Sequence, residues 1–381
     1  MEDLRYAIDL DLDRASDTIP ARTTIRFRAE PGEDAVADLD ATTVHRITLN
    51  GRPLDPAQVW QRPHLHLADL AANNVVEVDA EFPISDERGY RQVSATDTEP
   101  AYTYGAAYPR FAPRCFCCFD DPTRRAPVDL RIWAPPDISC LANAPLAERA
   151  EADGRIGWRL STSAPIPPYA FTMAAGPWAQ LHRADDPTPI GVYARRSRGG
   201  QLDRGREIAD LAGRALRDYE RILGVPFAYR KCDLMLVPDL PSLAYSPPGI
   251  IMLRETVLDA GPRFRPIVIA HEVGHQWFGG TAEFIDRADD WLIEALTSYV
   301  SRLLVVDWGL APGAGEPRPD AGYEAELIVE LAEDIGQAAV LAGLRAFCQR
   351  FTNGGATRAD LVACWSQASG RDLTGWAADR S

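Results

Sequence analysis

The sequence predicts an α+β fold, with an N-terminal antiparallel β domain over residues 1–186 and a mostly α-helical domain over 187–381. Three observations lead there. From Arg5 to about Trp178 the chain is a succession of short segments alternating apolar and polar residues, broken by turn signals. From Arg204 onward the apolar residues recur at helical spacing instead. Between the two regimes lies Asp185-Asp-Pro-Thr-Pro189, the best linker in the chain.

The strands come first. Tyr6-Ala-Ile-Asp-Leu-Asp-Leu-Asp13, Thr24-Ile-Arg-Phe-Arg28 and Val75-Val-Glu-Val-Asp79 each place apolar side chains on one face. Asn50-Gly51, between Ile47-Thr-Leu49 and Leu54, is a hairpin signal because both residues tolerate positive φ. Residues 128–133 and 156–160 repeat the alternation, and strands with regular turns indicate an antiparallel β domain. Past the linker, Arg204 to Leu223 is an amphipathic helix stopped by Gly224 and Pro226, and Cys232-Asp-Leu-Met-Leu-Val237 is a buried strand. Residues 311–320 are a Pro/Gly-rich loop. Helices follow near 322–335 and 337–351, Asn353-Gly-Gly355 is a turn, and Thr357-x-x-Asp360 opens a last helix.

Bulk properties narrow the function. At 381 residues the chain suits two cores, and its apolar and charged content is that of a soluble globular protein. A net charge of −15 disfavours a nucleic-acid groove or an anionic membrane surface as partner. No apolar run is long enough to span a membrane, and the charged start Met1-Glu-Asp-Leu-Arg is unlike a signal peptide, so the expected compartment is the cytoplasm. Seven cysteines without framework spacing argue against a secreted disulfide scaffold. Cys115, Cys117 and Cys118 are spaced too tightly for an ordinary structural zinc site and read as buried thiols. Lys231 is the chain's single lysine among many arginines.

The chemistry concentrates in His271-Glu272-Val-Gly-His275 and, after eighteen intervening residues, Glu294. Histidines at i and i+4 lie on one helix face and can both reach one metal ion. A carboxylate from a second helix completes three protein ligands, leaving a tetrahedral zinc one position for water. Glu272 is placed to take that water's proton. In a chain with six histidines a chance His-Glu-x-x-His is expected on the order of one time in a hundred. Pro266, Ile267-Val-Ile269 and the stop at Gly279-Gly280 frame the first helix, and Asp289-Asp290 caps the second.

The run His271-Glu-Val-Gly-His-Gln-Trp-Phe-Gly279, followed by Trp291-Leu-x-Glu294, resembles the aminopeptidase N family of zinc peptidases (gluzincins). Arg114-x-Phe116-x-Cys118-Phe-Asp-x-Pro122 resembles a turn in that family's first domain, and Gly249-Ile-Ile-x-x-Arg-Glu255 the strand ahead of its zinc helix. The resemblance implies a thermolysin-like catalytic domain and one Zn²⁺ per chain on His271, His275 and Glu294. It implies Glu272 as general base and Tyr323 as the hydroxyl that steadies the tetrahedral intermediate. Relatives that trim free N-termini grip the substrate's ammonium with the glutamate of a Gly-x-Met-Glu-Asn motif and a glutamine from the β domain. Here that motif becomes Leu243-Ala244-Tyr245-Ser246, with Ser246 at the glutamate position, and Ala106 stands where the glutamine would be. A hydroxyl and a methyl do not neutralise a buried ammonium. The sequence ends at the point where the resemblance places the end of the catalytic domain. The implied cleft is therefore open, to be covered by a protein partner, an oligomer or a tightly fitting substrate.

Three readings follow. The first is a zinc hydrolase of peptide or amide bonds whose substrate, such as a biosynthetic peptide or small amide, has no free α-amine to anchor. The second is a conventional aminopeptidase with a relocated acid such as Asp239 or Glu326. The third is a zinc-stabilised binding protein without catalysis, against which the presence of a base at Glu272 speaks.

Overall fold

Alternation in the first half of the chain produces strands whose inward residues are those the sequence marks. In the computed structural model, Thr18–Arg28 buries Ile19, Ala21, Thr23, Ile25 and Phe27 in turn, and Asn73–Pro83 buries Asn74, Val76, Val78, Ala80 and Phe82. The structure describes residues 1–12, 16–85, 89–93, 101–107, 110–183, 187–240, 242–259, 261, 263–310 and 323–378, with residues 323, 324, 377 and 378 as backbone alone. Its contacts divide into two compact units, Met1–Ala179 with Arg195–Ser197, and Gln180–Ala194 with Arg198–Ser381. The linker at Asp185–Pro189 falls partly outside the described residues.

The first unit is built on an eight-stranded sheet. From edge to edge it runs Leu146–Ala152, Arg155–Leu160, Val128–Ala134, Glu2–Asp11, Thr18–Arg28, Asn73–Pro83, Thr43–Leu49 and Arg52–Leu54. All the pairings given for this sheet are antiparallel except one. Glu2–Asp11 runs parallel to Val128–Ala134, with Tyr6 opposite Val128. Alternation alone does not distinguish the two directions. The Asn50-Gly51 hairpin has the expected geometry, with φ of +54° and +78° and Ile47 opposite Leu54. A four-stranded and a three-stranded sheet complete the unit around one apolar core. Cys115, Cys117 and Cys118 sit in that core as free thiols, which burial pushes far above the ordinary cysteine range. They are inert packing, as their spacing suggests. One short helix, α1 (Pro56–Val59), is capped by Asp55.

The second unit holds helices α2 (Leu202–Leu223), α3 (Phe264–Gly274), α4 (Asp290–Asp307), α5 (Tyr323–Ile335), α6 (Gln337–Arg350), α7 (Arg358–Ser369) and α8 (Thr374–Ala378). It also contains a five-stranded sheet in the order Trp178–Arg183, Ile190–Arg195, Cys232–Val237, Ile250–Arg254, Ala244–Tyr245. That sheet is larger than the sequence suggests. Its three central strands are parallel, so both faces are covered and the sequence shows continuous apolar runs instead of alternation. Cys232–Val237 is buried at every residue. Helix α2 ends where predicted, at Gly224 with φ of +63°. The Pro/Gly-rich loop at 311–320 lies outside the described residues.

Thr357 and Asp360 form a reciprocal capping box at the start of α7. Replacing Thr357 with Ala is expected to cost about 1 kcal/mol at neutral pH, measured by urea unfolding. Thr357's hydrogen bonds hold the Asp360 carboxyl below the usual carboxylate range. Its share of the stability is therefore full above the unfolded value and lost as pH falls through the folded one, so the difference between wild type and variant should shrink in acid.

Candidate metal centre

The centre is assembled where four helices of the second unit pack in succession. Helix α2 packs against α3, α3 against α4, and α4 against α5. The start of α3 is tied to α2 by buried Arg265, whose guanidinium meets Glu207 at 2.7 Å. Its end is fixed by Trp277, which stacks on Tyr219 of α2 with ring centroids 5.3 Å apart and donates its indole N–H to the Val225 carbonyl at 3.0 Å. Gly274 is required between them. A Cβ there would come within 2.3 Å of the Tyr219 hydroxyl and 2.9 Å of Thr297 on α4, so only glycine lets the three helices approach this closely.

The helix stops earlier than the Gly279-Gly280 signal suggests. Gly274 is its last residue, and His275 is the C-cap, its N–H still bonded to the His271 carbonyl at 3.3 Å. The two imidazoles therefore keep their i, i+4 relation, and past them the backbone tightens, with Gln276 and Trp277 bonded to the Val273 and Gly274 carbonyls. His271 Nε2 and His275 Nε2 lie 3.1 Å apart. Glu294 reaches across from α4, with Oε2 3.3 Å from His271 Nε2 and Oε1 3.6 Å from His275 Nε2. One ligand atom from each of these three residues lies within 4.8 Å of the others, the only such grouping among the described residues. Asp289 occupies the N-cap position of α4 but does not cap it. It is buried against Arg358 at 2.8 Å, and Asp286 caps the preceding turn instead.

Each imidazole's other nitrogen has an oxygen within reach. Ser298 Oγ is 3.3 Å from His271 Nδ1, and the Phe278 carbonyl is 3.4 Å from His275 Nδ1. Such outer partners orient metal-binding histidines and leave Nε2 facing the ion. Burial depresses the His275 pKa below its ordinary value, which keeps a lone pair available. Partial desolvation in the cleft raises Glu294. The hydrogen bond to His271 and the two imidazoles more than reverse that effect, holding the carboxyl at about 2. Two nitrogens and a carboxylate at this separation fit zinc better than calcium or magnesium, which prefer all-oxygen shells.

Beside the triad, Glu272 is only 9% exposed and accepts a 2.6 Å hydrogen bond from Ser246 Oγ. The cleft around them, about 470 Å³, is lined by Ser242, Leu243 and Ala244 on one wall. Ile267, Val268, Trp291, Ala295, Ser298 and Ala325 form the rest. Tyr245 is half-buried on the edge strand Ala244–Tyr245. Ala106 ends the strand Tyr102–Ala106 of the first unit, opposite Gly89 and Thr172. Tyr323 begins α5, and its side chain lies outside the described residues. The sequence reading missed Ser298, although Glu294 and Ser298 are i and i+4 on one helix and this spacing could have found it.

Comparison with known proteins agrees with this geometry. The Peptidase family M1 domain matches residues 208–309, the stretch holding α2, α3 and α4. Over 97% of its length the chain is 26% identical to aminopeptidase N of Streptomyces lividans, covering 49% of that protein. These matches support a place in the aminopeptidase N family. It is also 23% identical to leucyl aminopeptidase of Saccharolobus solfataricus over 78% of this chain and 38% of that one. With the puromycin-sensitive aminopeptidase of Caenorhabditis elegans it shares 25% identity over 75% of this chain and 35% of that one. The chain spans about half the length of these relatives, or less. No helix among the described residues is long and apolar enough to cross a membrane.

The packing under the metal helix gives a direct test. The Tyr219 hydroxyl is fully buried and has no hydrogen-bond partner among the described residues. Tyr219→Phe is therefore expected to leave stability unchanged or raise it by about 1 kcal/mol. Gly274→Ala should lower stability by roughly 1–3 kcal/mol through overpacking, and by less in the Tyr219→Phe background. Thermal unfolding of the two single variants and the double variant measures both effects.

Proposed function

We propose that this chain is a zinc-dependent hydrolase of peptide or amide bonds whose substrates do not present a free α-amine. One observation carries the proposal: the convergence of His271 Nε2, His275 Nε2 and Glu294 within 4.8 Å, beside the cleft-lining carboxylate of Glu272. The donor set and its outer partners fit zinc, with His271, His275 and Glu294 as the holding residues. When bound, zinc supplies a Lewis acid that polarises the substrate carbonyl and brings the pKa of water to about 7.

The chain's own residues do the rest. Glu272 takes the proton of the attacking water on its carboxylate and returns it to the departing nitrogen as the carbon–nitrogen bond breaks. The phenol of Tyr323 donates to the oxygen that gains charge as the carbonyl becomes tetrahedral. Leu243, Ala244, Ile267, Val268 and Trp291 offer an apolar wall to the substrate's side chains.

The substrate class follows from where the negative charges are. Among the described residues lining this cleft, the carboxylates are Glu272 and Glu294, and both are already engaged. Glu326 pairs with Arg302 at 2.9 Å, and neither it nor Asp239 lines the cleft, which weakens the reading with a relocated anchor. A blocked or internal peptide segment, or a small amide, needs no such anchor. Leader removal from a biosynthetic peptide is one such reaction. Seven free, buried cysteines suit the reducing cytoplasm as its place of action.

A side-by-side assay of free and N-acylated peptides is expected to favour the acylated series, and strong preference for free amines would restore the conventional aminopeptidase. Glu272→Gln should retain one zinc per chain while turnover falls at least a hundredfold. An unchanged rate in that variant would remove the catalytic reading. Stripping zinc with a chelator should abolish turnover and lower the melting temperature, and both should return on adding zinc.

A further inference from the structure

We propose that Ser246 is a positioning residue, whose hydroxyl holds the Glu272 carboxylate in the orientation that proton transfer needs. The inference rests on the hydrolase reading and extends it to a group outside the water-activating set. Ser246 Oγ donates to Glu272 Oε2 at 2.6 Å, the length of a charge-assisted O–H···O⁻ bond. With Oε2 held, the carboxylate keeps Oε1 for the water. A glutamate side chain has several rotatable bonds, and a misplacement of about 1 Å can cost on the order of a hundredfold in rate.

Ser246 is itself rigidly placed. Gln276, 1% exposed and next to His275, donates its carboxamide to the carbonyls of Ser246 and Pro247, each at 3.2 Å. The same carboxamide accepts the Gly249 N–H at 2.9 Å. On its other side the Gly249 carbonyl receives the Asp233 N–H at 3.1 Å and Lys231 Nζ at 3.2 Å. Pro247 and Pro248 remove backbone freedom, and Gly249 takes a φ of +75° that other residues reach only with strain. The stretch 271–276 thus carries two imidazoles, the base and the amide that fixes the base's holder. The lone lysine of the chain closes the clamp from the sheet side, buried with Asp233 at 2.5 Å.

The experiment uses the full zinc-loaded chain with an N-acylated peptide substrate. Ser246→Ala is expected to lower kcat at least tenfold with KM within about twofold and zinc content unchanged, and Ser246→Thr to restore most of the loss. A wild-type kcat in Ser246→Ala, or a loss that appears only in KM, overturns the proposal. A second arm needs no turnover: melting temperatures of metal-free Ser246→Ala, Glu272→Ala and the double variant. Non-additive shifts, with the double variant losing less than the two singles together, support the coupling, and additive shifts overturn it. If the wild type hydrolyses neither blocked nor free peptides, it is the hydrolase reading that fails, and the thermal cycle alone decides whether Ser246 holds Glu272.

Discussion

A single buried carboxamide ties the two halves of the centre together. Gln276 bonds to the backbone at three points within residues 246–249, and it sits at the turn that ends the metal helix. The helix contributes His271, Glu272 and His275, whereas the segment contributes the hydroxyl on Glu272. Were the carboxamide absent, the carbonyls of Ser246 and Pro247 would lose a buried donor, at a cost of about 1–3 kcal/mol for each group left unpaired. Past the C-cap at His275 the backbone tightens, with the N–H groups of Gln276 and Trp277 bonded three residues back to Val273 and Gly274. The side chain that holds residues 246–249 thus follows directly on the second imidazole of the pair.

Charge placement follows from the same economy of buried polar groups. An acidic, arginine-rich chain uses its one lysine where a compact ammonium can donate both to Asp233 and to a backbone carbonyl. A guanidinium is wider and prefers a planar fork to carboxylate, so arginine would not reproduce the contact. The cysteines carry no chemistry for the opposite reason. Burial disfavours the thiolate, outweighing the cations near Cys115, Cys232 and Cys364, and each of the seven is held above its ordinary pKa.

Much of this was legible in the sequence because it rests on spacing. The i, i+4 histidines, the Thr357–Asp360 box, the Asn50-Gly51 hairpin and the stop at Gly224 are local rules, and each lies where those rules put it. What spacing does not encode is pairing across distance. The parallel partner of Glu2–Asp11 lies more than a hundred residues away in Val128–Ala134, and nothing in either strand's alternation names it. The five-stranded sheet was hidden for a related reason: strands covered on both faces show runs that a buried helix segment also shows. At the site, Ser246 was visible only as a missing carboxylate. Its positive role, a bond to Glu272, depends on the approach of two segments whose separation in the chain says nothing of their distance in space.

That bond also changes how the absence of a carboxylate at position 246 is to be understood. A glutamate there would place a second negative charge beside Glu272 in a poorly hydrated pocket, where like charges raise one another's pKa and one of the two tends to hold a proton. A serine avoids the repulsion and supplies a donor instead. An incoming ammonium would find the two carboxylates of this cleft already engaged, one between two imidazoles and one on a hydroxyl. To pair with either, it would have to break a contact on which the proposed chemistry depends. On the proposed reading, then, the exchange of carboxylate for hydroxyl acts on base and substrate at once. On that reading the hydroxyl that would steady Glu272 stands in place of the charge that would have recognised a free N-terminus, so orientation of the base and tolerance of blocked substrates would be one property of Ser246.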